Sequence, residues 1–211
     1  SQCSVNQMDI SDKNGEVLVR LAREAVEKQV KEKLIIEPPN GLDPEFYQKM
    51  GVFVTLNAQT QSGLELRGCI GHPFPEKPLV KALIDSAISA AINDPRFNEV
   101  TSDELDNLIV EISVLTPPEH IKVSSPEEYR NQIKVGEDGL IVRWRYGSGL
   151  LLPQVPIEQG WGPDDFLYHS CLKAGAAPDI WRSPEVNIYK FKAIVFDEIS
   201  PRGDVLRRRL V

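Results

Sequence analysis

The sequence predicts an α+β fold made of two β-rich halves. Stretches with the period of an amphipathic helix alternate with shorter stretches rich in β-branched and aromatic residues, which are typical of strands. The order hairpin, proline-rich turn, helix and strand begins near Gly51 and again near Gly139, so the second half repeats the architecture of the first. Nothing between Gly41 and Leu108 resembles a flexible linker, and we therefore expect a single compact domain over residues 1–211.

The first half begins with a predicted helix over 12–33, in which apolar residues recur at helical spacing between charged ones. A hairpin follows, with strands over 51–58 and 63–71 and turn-forming residues between them. A second helix over 79–93 carries an apolar face and ends before a proline. A well-buried strand over 108–115 completes this half.

The second half is predicted to hold another hairpin, with strands over 139–146 and 150–155 joined by a Gly-Ser-Gly turn at 147–149. A helix over 163–174 has a proline in its first turn and stops at a glycine. A long strand over 186–199 follows, because β-branched and aromatic residues fill most of it.

These elements divide the predicted domain into an N-terminal half of about 12–117 and a second half of about 118–199. Residues 200–211 form a basic tail, since they include Arg207, Arg208 and Arg209. A frayed, solvated terminus is favoured for this tail over a binding element.

The composition is that of an ordinary globular protein, with 41% hydrophobic and 26% charged residues. Lys and Arg number 24 against 31 acidic residues, and the net charge of −7 disfavours general nucleic-acid binding. A local basic patch near Arg143 and Arg145 is still compatible with that charge. No apolar run approaches the ~20 residues that span a bilayer, and Ser1 to Ile10 lack the apolar core of a signal peptide. We therefore expect a cytoplasmic protein that does not enter a membrane.

Three cysteines, Cys3, Cys69 and Cys171, are too few for a disulfide scaffold and suit a reducing compartment. The neighbouring histidines, His72 and His169, are poorly spaced for a metal site. The sequence also lacks a Walker or Rossmann glycine loop, a nucleophile-elbow motif and a cysteine cluster for an iron–sulfur centre. It therefore predicts no metal and no cofactor.

The most informative motif is Leu66-Arg67-Gly68-Cys69-Ile70-Gly71, followed by His72. In an extended segment Arg67 and Cys69 point the same way, and a cation beside a thiol favours the reactive thiolate. The two glycines leave the backbone bare, so that another chain or molecule can approach closely. The motif therefore has the features of a site, but it does not specify a reaction.

Two interpretations of Cys69 remain open: a small buried hydrophobic residue, or a nucleophile whose thiolate is stabilised by Arg67. Arg67 could instead stabilise a bound anion, or pair structurally with Glu111 on a neighbouring strand. His72 could act as a base toward Cys69, although residues three apart in an extended strand are ~10 Å distant, so this role needs a sharp turn at Gly71.

Other candidate residues lie outside the motif. Arg96, in Asp94-Pro95-Arg96-Phe97, could bind a ligand or anchor a loop. Glu111 either pairs with an arginine or has a pKa raised by burial that suits it to proton transfer. Gln154 could hydrogen-bond across a cleft or tie down a loop. The residues predicted as binding groups are Gly68, Ile70, Gly71, Arg96, Glu111 and Gln154.

The hexapeptide is similar to the signature of the AMMECR-type family, also called AmmeMemoRadiSam system protein A. The resemblance continues in Asp94-Pro95-Arg96-Phe97, in residues 110–117 and 151–155 and in Gly160-Trp161, and it covers roughly 15–199. It implies β-β-β-α-α-like repeats that share one strongly curved, mostly antiparallel sheet flanked by helices, with a smaller lobe after Thr116. The family has no settled activity, and its association with Memo-like and radical-SAM proteins implies a shared chemical pathway.

Two functions follow as hypotheses. The first is an enzyme or enzyme subunit that acts on a small molecule or modified nucleotide, with Cys69 as its reactive centre. The second is a non-catalytic adaptor, in which the hexapeptide is a docking or structural surface and Gly68 and Gly71 allow close packing. A homodimer is the default oligomer for a cytosolic protein of this size.

Overall fold

A computed structural model describes residues 9–210, so that Cys3 lies outside the described residues. These residues form two compact units. The first comprises residues 9–115 together with Ile194–Arg208, and the second comprises Thr116–Ala193 with residues 209–210. Each unit has its own hydrophobic core.

The first unit consists mainly of two helices and one sheet. Its elements, numbered along the whole chain, are α1 (Asp12–Glu32), β1 (Gly51–Thr60), β2 (Gly63–His72), α2 (Leu79–Ile92), β3 (Leu108–Leu115), β8 (Ala193–Glu198) and β9 (Val205–Arg208). The strands lie in the order β2-β1-β3-β8-β9, and β1 pairs antiparallel with both β2 and β3. The predicted helices, the first hairpin and the strand over 108–115 are thereby confirmed.

The ends of α1 follow from its sequence. Ser11 caps the N-terminus, because its Oγ accepts a hydrogen bond from the Asn14 N–H at 3.1 Å. The helix stops where Lys33 adopts a left-handed conformation with φ of 57°. Its buried face includes Leu18 and Ala25, whereas its exposed residues are charged. No described helix is long and apolar enough to cross a bilayer.

One hydrophobic core joins both helices to one face of the five-stranded sheet. The approach of α1 is close at Gly15, where an added Cβ would lie 2.2 Å from the Phe196 ring of β8. The approach of α2 is equally close at Gly68 of β2, where a Cβ would lie 2.1 Å from the Ala90 carbonyl oxygen. Alternate residues of β2 therefore point toward α2 or toward the opposite face of the sheet.

The second unit contains a smaller sheet and short helices. Its elements are β4 (Glu119–His120), α3 (Tyr129–Gln132), β5 (Gly139–Trp144), β6 (Gly147–Leu151), α4 (Gln154–Gln159), α5 (Pro163–Lys173) and β7 (Asn187–Phe191). The strand order is β4-β7-β5-β6, and all three pairings are antiparallel. Phe166 and Leu167 of α5 pack with Leu140 and Ile188 in the core of this unit.

Each sheet contains the same arrangement of three antiparallel strands. A hairpin is followed, after one or more helices, by a strand that pairs with the first strand of that hairpin: β2-β1-β3 in the first sheet and β6-β5-β7 in the second. The mixed α and β character is confirmed. The expectation of one shared sheet is wrong, because the described strands form two separate sheets.

The long strand predicted over 186–199 is in fact two strands that belong to different sheets. β7 ends at Phe191 and β8 begins at Ala193. Between them, the backbone of Lys192 exchanges hydrogen bonds with Thr116: its N–H donates to Thr116 Oγ1 at 2.7 Å, and its carbonyl accepts from the Thr116 N–H at 2.8 Å. The β-propensity is high throughout this segment, so the sequence does not indicate that the chain leaves one sheet and enters the other here.

The turn predicted at 147–149 is also misplaced. The second hairpin turns at Arg145 and Tyr146, and the Gly-Ser-Gly sequence lies inside β6. An added Cβ at Gly149 would lie 2.4 Å from the Ala174 backbone nitrogen. The glycine is therefore required for close packing against the end of α5 and not for a turn.

The basic tail is ordered over Val205–Arg208, which form the edge strand β9. The Arg207 guanidinium pairs with Asp9 at 2.8 Å and with Asp12 at 3.0 Å. A frayed terminus is therefore wrong for these residues. The tail instead closes one edge of the first sheet.

Candidate functional site

Cys69 lies in a row of side chains that crosses three strands of the first sheet. It pairs with Thr55 of β1, which pairs in turn with Glu111 of β3. The Thr55 hydroxyl donates to Cys69 Sγ at 3.4 Å. Because Gly68 faces α2, its neighbour Cys69 points to the face of the sheet away from that helix.

The Cys69 thiol is not activated in this setting. Burial raises its pKa, and the hydrogen bond from Thr55 and the positive charge of Arg96 only partly oppose that effect. The negative charges of Glu111 and Asp94 raise the pKa further. Burial therefore favours the protonated thiol of the half-buried Cys69 over the thiolate, and the nucleophilic role stays a prediction.

Arg67 occupies a β-bulge, which changes its direction. Leu56 pairs with Gly68 and Asn57 pairs with Leu66, so that Arg67 is the extra residue of β2. The simple alternation that would place Arg67 beside Cys69 does not apply across a bulge. A sequence carries no clear signal for such an insertion, because hydrophobic patterning continues on either side of it.

The Arg67 guanidinium pairs with Glu104, which follows α2 in the chain. Arg67 Nε donates to Oε1 at 2.7 Å and Nη2 donates to Oε2 at 3.2 Å. Glu104 is itself held by the Thr101 N–H at 2.7 Å, as the third helical residue of a capping box. Burial opposes ionisation of Glu104, but the hydrogen bonds from Arg67 and Thr101 outweigh it and lower the pKa. The predicted pairing of Arg67 with Glu111 is wrong.

Asp94 connects Cys69 to Arg96. Its Oδ2 accepts the Cys69 N–H at 2.9 Å, and its two oxygens accept from Arg96 Nε at 3.0 Å and Nη2 at 2.8 Å. The hydrogen bonds from Arg96 lower the pKa of Asp94 to about 2, against the opposing effect of burial. Arg96 Nη2 also lies 3.5 Å from the Cys69 carbonyl oxygen. Asp94 and Arg96 thus cover the backbone of the edge strand at Cys69.

An open cleft of about 410 Å³ lies beside these groups and is lined by Arg67, Pro95, Arg96, Phe97 and Asn98. Two guanidiniums approach the Phe97 ring, with the central carbon of Arg67 at 5.9 Å and that of Arg96 at 5.3 Å from its centroid. Arg67 Nη1 is buried and has no hydrogen-bond partner among the described residues. Arg67, which lines the cleft, therefore has one cationic donor whose hydrogen-bonding capacity is unused within the described residues.

His72 points toward α2, where its Nδ1 lies 2.8 Å from Ser86 Oγ. Its Nε2 lies 3.5 Å from Lys77 Nζ, and an ammonium can only donate, so Nε2 accepts and Nδ1 carries the proton. Burial and the charge of Lys77 lower the pKa of His72. Since Cys69 points to the other face and takes its hydrogen bond from Thr55, the predicted Cys69–His72 pair is not formed.

Glu111 is buried and pairs with Arg208 of β9, with Nη1 2.6 Å from Oε1. Of the two roles predicted for it, pairing with an arginine is the one observed, although the partner comes from the C-terminal tail. Gln154 is buried at the start of α4, in the second unit, and its binding role stays a prediction.

The remaining motif residues have packing roles. Ile70 packs against the core of the first unit. A Cβ at Gly71 would lie 2.4 Å from both the Phe53 ring and the Val52 carbonyl oxygen. These packing contacts explain why small residues are needed at Gly68 and Gly71, and the binding roles of Gly68, Ile70 and Gly71 stay predictions.

Three partners of the motif were not predicted from the sequence: Asp94, Glu104 and Thr55. Only Glu104 had a visible signal, since Thr101 and Glu104 have the spacing of a capping box. Within residues 9–210, no group of three or more His, Cys, Asp or Glu side chains could hold a metal ion.

The chain is similar to a set of archaeal proteins over nearly its whole length. A protein of Thermococcus gammatolerans is 54% identical over 203 residues, which are 96% of this chain and 98% of that protein. Protein MJ0810 of Methanocaldococcus jannaschii is 49% identical over 93% of this chain and 96% of its own length. The crystal structure of the uncharacterised protein PH0010 from Pyrococcus horikoshii matches with a TM-score of 0.90, at 53% identity, over 95% of this chain and 98% of that one.

The AMMECR1 family model matches residues 19–196. The match includes the hexapeptide, the Asp94–Phe97 turn and β3, which carried the resemblance in the sequence. This chain therefore belongs to the AMMECR1 family.

Proposed function

We propose that the protein binds an oxyanion-bearing small molecule in the cleft between Arg67 and Arg96, as an enzyme or as a subunit of one. The observation that carries this proposal is the unused donor of Arg67. Its Nε and Nη2 are fixed by Glu104, whereas Nη1 is buried beside the cleft without a partner. A buried cationic N–H that lacks an acceptor is costly, and a carboxylate or phosphate oxygen supplies that acceptor.

The charges around the cleft suit a ligand of low charge. Arg67 and Arg96 are each paired with a carboxylate, Glu104 and Asp94 respectively. Those carboxylates orient the guanidiniums and cancel much of the field that would attract a polyanion. The Phe97 ring offers an apolar surface to the remainder of the ligand. A carboxylate or a phosphate monoester attached to an apolar or planar group fits this combination. The modified nucleotide of the first hypothesis belongs to that class of ligand.

Cys69 remains the candidate for chemistry next to the cleft. Its backbone N–H is held by Asp94, the same carboxylate that orients Arg96. Because burial raises the pKa of the thiol, Cys69 would have to lose its proton during the reaction to act as a nucleophile. The protonated thiol can meanwhile donate a hydrogen bond to a bound group.

Calorimetric titration with inorganic phosphate, and separately with benzoate, tests the binding site. Arg67→Gln and Arg96→Gln are each expected to weaken binding by roughly tenfold or more, the effect of losing a charge-assisted hydrogen bond. Arg20→Gln is the matched control, since Arg20 is a half-exposed arginine of α1 with only an i,i+4 partner. Equal affinity in the wild-type protein and in Arg67→Gln would show that this cleft does not bind the anion.

An adaptor function is supported by a different part of β2. This edge strand exposes 59% of Leu64 and 38% of Leu66, beyond the segment covered by Asp94 and Arg96. Memo-like and radical-SAM proteins are the partners implied by the family resemblance. Leu64→Glu and Leu66→Glu should abolish co-purification with such a partner if the strand is the docking surface, whereas Cys69→Ser should not. Gly71→Val is unsuitable here, because its side chain would collide with Phe53.

The cytoplasmic location and the homodimer are proposals that rest on the sequence alone. The chain has only three cysteines, which cannot all pair with one another, and this supports a reducing compartment. Light scattering of the purified protein measures the oligomeric state directly.

A further inference from the structure

The tip of the second hairpin, formed by Trp144, Arg145 and Tyr146, carries an exposed aromatic platform in the second unit. The Tyr146 side chain is 73% exposed, more than any other large apolar or aromatic residue that the structure describes. A tyrosine so exposed at a turn contributes little to the hydrophobic core. Its ring is therefore available for contact with another molecule.

The platform is held in a fixed position. Trp144 Nε1 donates to the Ala174 carbonyl oxygen at 2.8 Å, and the Trp144 and Tyr146 rings meet edge to face with centroids 5.1 Å apart. Gly149 lets β6 lie directly against the end of α5, since an added Cβ would be 2.4 Å from the Ala174 nitrogen. The Tyr146 ring is thus supported by a packed hairpin and does not depend on a long flexible loop.

A guanidinium lies against this ring, and other basic residues occur on the same hairpin and at the end of α5. The Arg145 guanidinium lies 5.3 Å from the Tyr146 centroid, and Arg145 is exposed. Arg143 is exposed two residues earlier on the same hairpin. Lys173 is exposed in the last turn of α5, directly beside Ala174. A local basic surface thus exists on a chain whose net charge is −7.

We propose that the hairpin tip binds single-stranded nucleic acid, with a base stacked on Tyr146 and a backbone phosphate contacting Arg145. An exposed aromatic ring next to cations is the combination that binds unpaired bases, because every base has a face to stack and every nucleotide has a phosphate. A duplex offers no free base face, so it lacks the stacking contribution. This site uses only residues of the second unit and does not depend on the proposed cleft.

The negative net charge is consistent with this proposal because so few phosphates are contacted. Two or three phosphate contacts predict a slope of log K against log salt of about −1.4 to −2.1, given roughly −0.7 for each phosphate neutralised on a single strand. The binding is therefore weak at high salt and depends largely on stacking. That pattern differs from a general polyanion surface, whose slope would be steeper.

Fluorescence anisotropy of a labelled oligoadenylate at low salt, with the full chain, tests the proposal. Tyr146→Ala should weaken binding by about fivefold or more, the effect of losing one stacked base, whereas Tyr146→Phe should keep the affinity. Arg145→Gln should reduce the salt slope by about 0.7, the contribution of one phosphate contact. Tyr47→Ala and Arg20→Gln, which change an exposed tyrosine and a half-exposed arginine of the first unit, should behave as wild type.

Three results would overturn the proposal. No binding to oligoadenylate at low salt is the first. The second is that polyglutamate of matched charge displaces the oligonucleotide and that Tyr146→Ala binds the oligonucleotide with unchanged affinity. The patch would then attract any acidic chain. Equal affinity for a duplex of the same length would remove the role assigned to stacking.

Discussion

Asp94 accepts the backbone N–H of Cys69 at 2.9 Å and the guanidinium of Arg96 through both of its oxygens. One buried carboxylate therefore fixes the edge strand at the cysteine and one of the arginines of the cleft. The relationship joins two motifs that are 25 residues apart in the sequence. It explains why the Asp94–Phe97 turn and the hexapeptide belong to the same site.

Asp94→Asn should make stability less sensitive to acid. The folded-state pKa of Asp94 is about 2, below the value of ~3.9 for an unfolded chain, so the carboxylate stabilises the fold above pH ~4. That contribution, about 2.5 kcal/mol for a pKa lowered from ~3.9 to about 2, is lost as pH falls from about 4 to 2. Urea unfolding at pH 7 and at pH 3 measures about half of it, because the loss is complete only below the folded-state pKa. The wild-type protein should lose more stability than Asp94→Asn between these pH values, and equal losses would contradict the assignment.

Gly68→Ala should destabilise the first unit. The new Cβ would lie 2.1 Å from the Ala90 carbonyl oxygen, a backbone atom of α2 that cannot move without shifting the helix. Overpacking of this kind costs about 1–3 kcal/mol or more. Gly162→Ala is the matched control, because no atom lies within 4 Å of its Cβ position, and it should cost less than about 1 kcal/mol as a change at a helix N-cap. Similar denaturation midpoints for both variants would show that the approach of α2 to β2 is not close.

The elements that sequence analysis predicted well are those with a long, regular pattern. The helix beginning at Asp12 and the strand Leu108–Leu115 were predicted because one period governs the whole segment. The turn of the second hairpin was predicted at the wrong residues, because a Gly-Ser-Gly sequence can either form a turn or leave space for close packing. At Gly149 the requirement is space for α5, which depends on tertiary contacts that the local sequence does not encode.

The roles predicted for the candidate residues stay predictions, whereas the partners expected for them differ from those in the structure. Arg67 and Arg96 line one cleft. The bulge at Arg67 redirects its side chain to Glu104, and strand alternation could not anticipate that. Glu111 was expected near Arg67, yet its partner Arg208 comes from a C-terminal strand whose place beside β8 depends on the complete sheet order.

Glu198→Ala should be among the most damaging changes in the first unit. Both Glu198 oxygens lie 3.0 Å from Arg23 Nε, and Oε1 also accepts the Val110 N–H at 2.9 Å. Removal of the carboxylate leaves a buried guanidinium without its counter-charge, which typically costs about 3–5 kcal/mol. Unfolding in urea measures the loss. The double variant Arg23→Met, Glu198→Leu leaves no charge buried, so it should be more stable than Glu198→Ala. If the double variant is as unstable as Glu198→Ala, the loss comes from packing and not from the unpaired charge.

The pH dependence of Cys69 alkylation separates the two interpretations of the hexapeptide. Since burial raises the pKa of Cys69, its reaction with iodoacetamide in the native protein should have a midpoint above the ~8.5 of a free thiol. Peptide mass mapping follows each cysteine separately, and Cys171, whose pKa is raised to about 11 by burial, is the internal reference. Thr55→Val removes the hydroxyl that donates to Sγ and should raise the Cys69 midpoint further. A midpoint below that of a free thiol would instead establish a thiolate, and the nucleophile would then need a stabilising cation closer to Sγ than the structure provides.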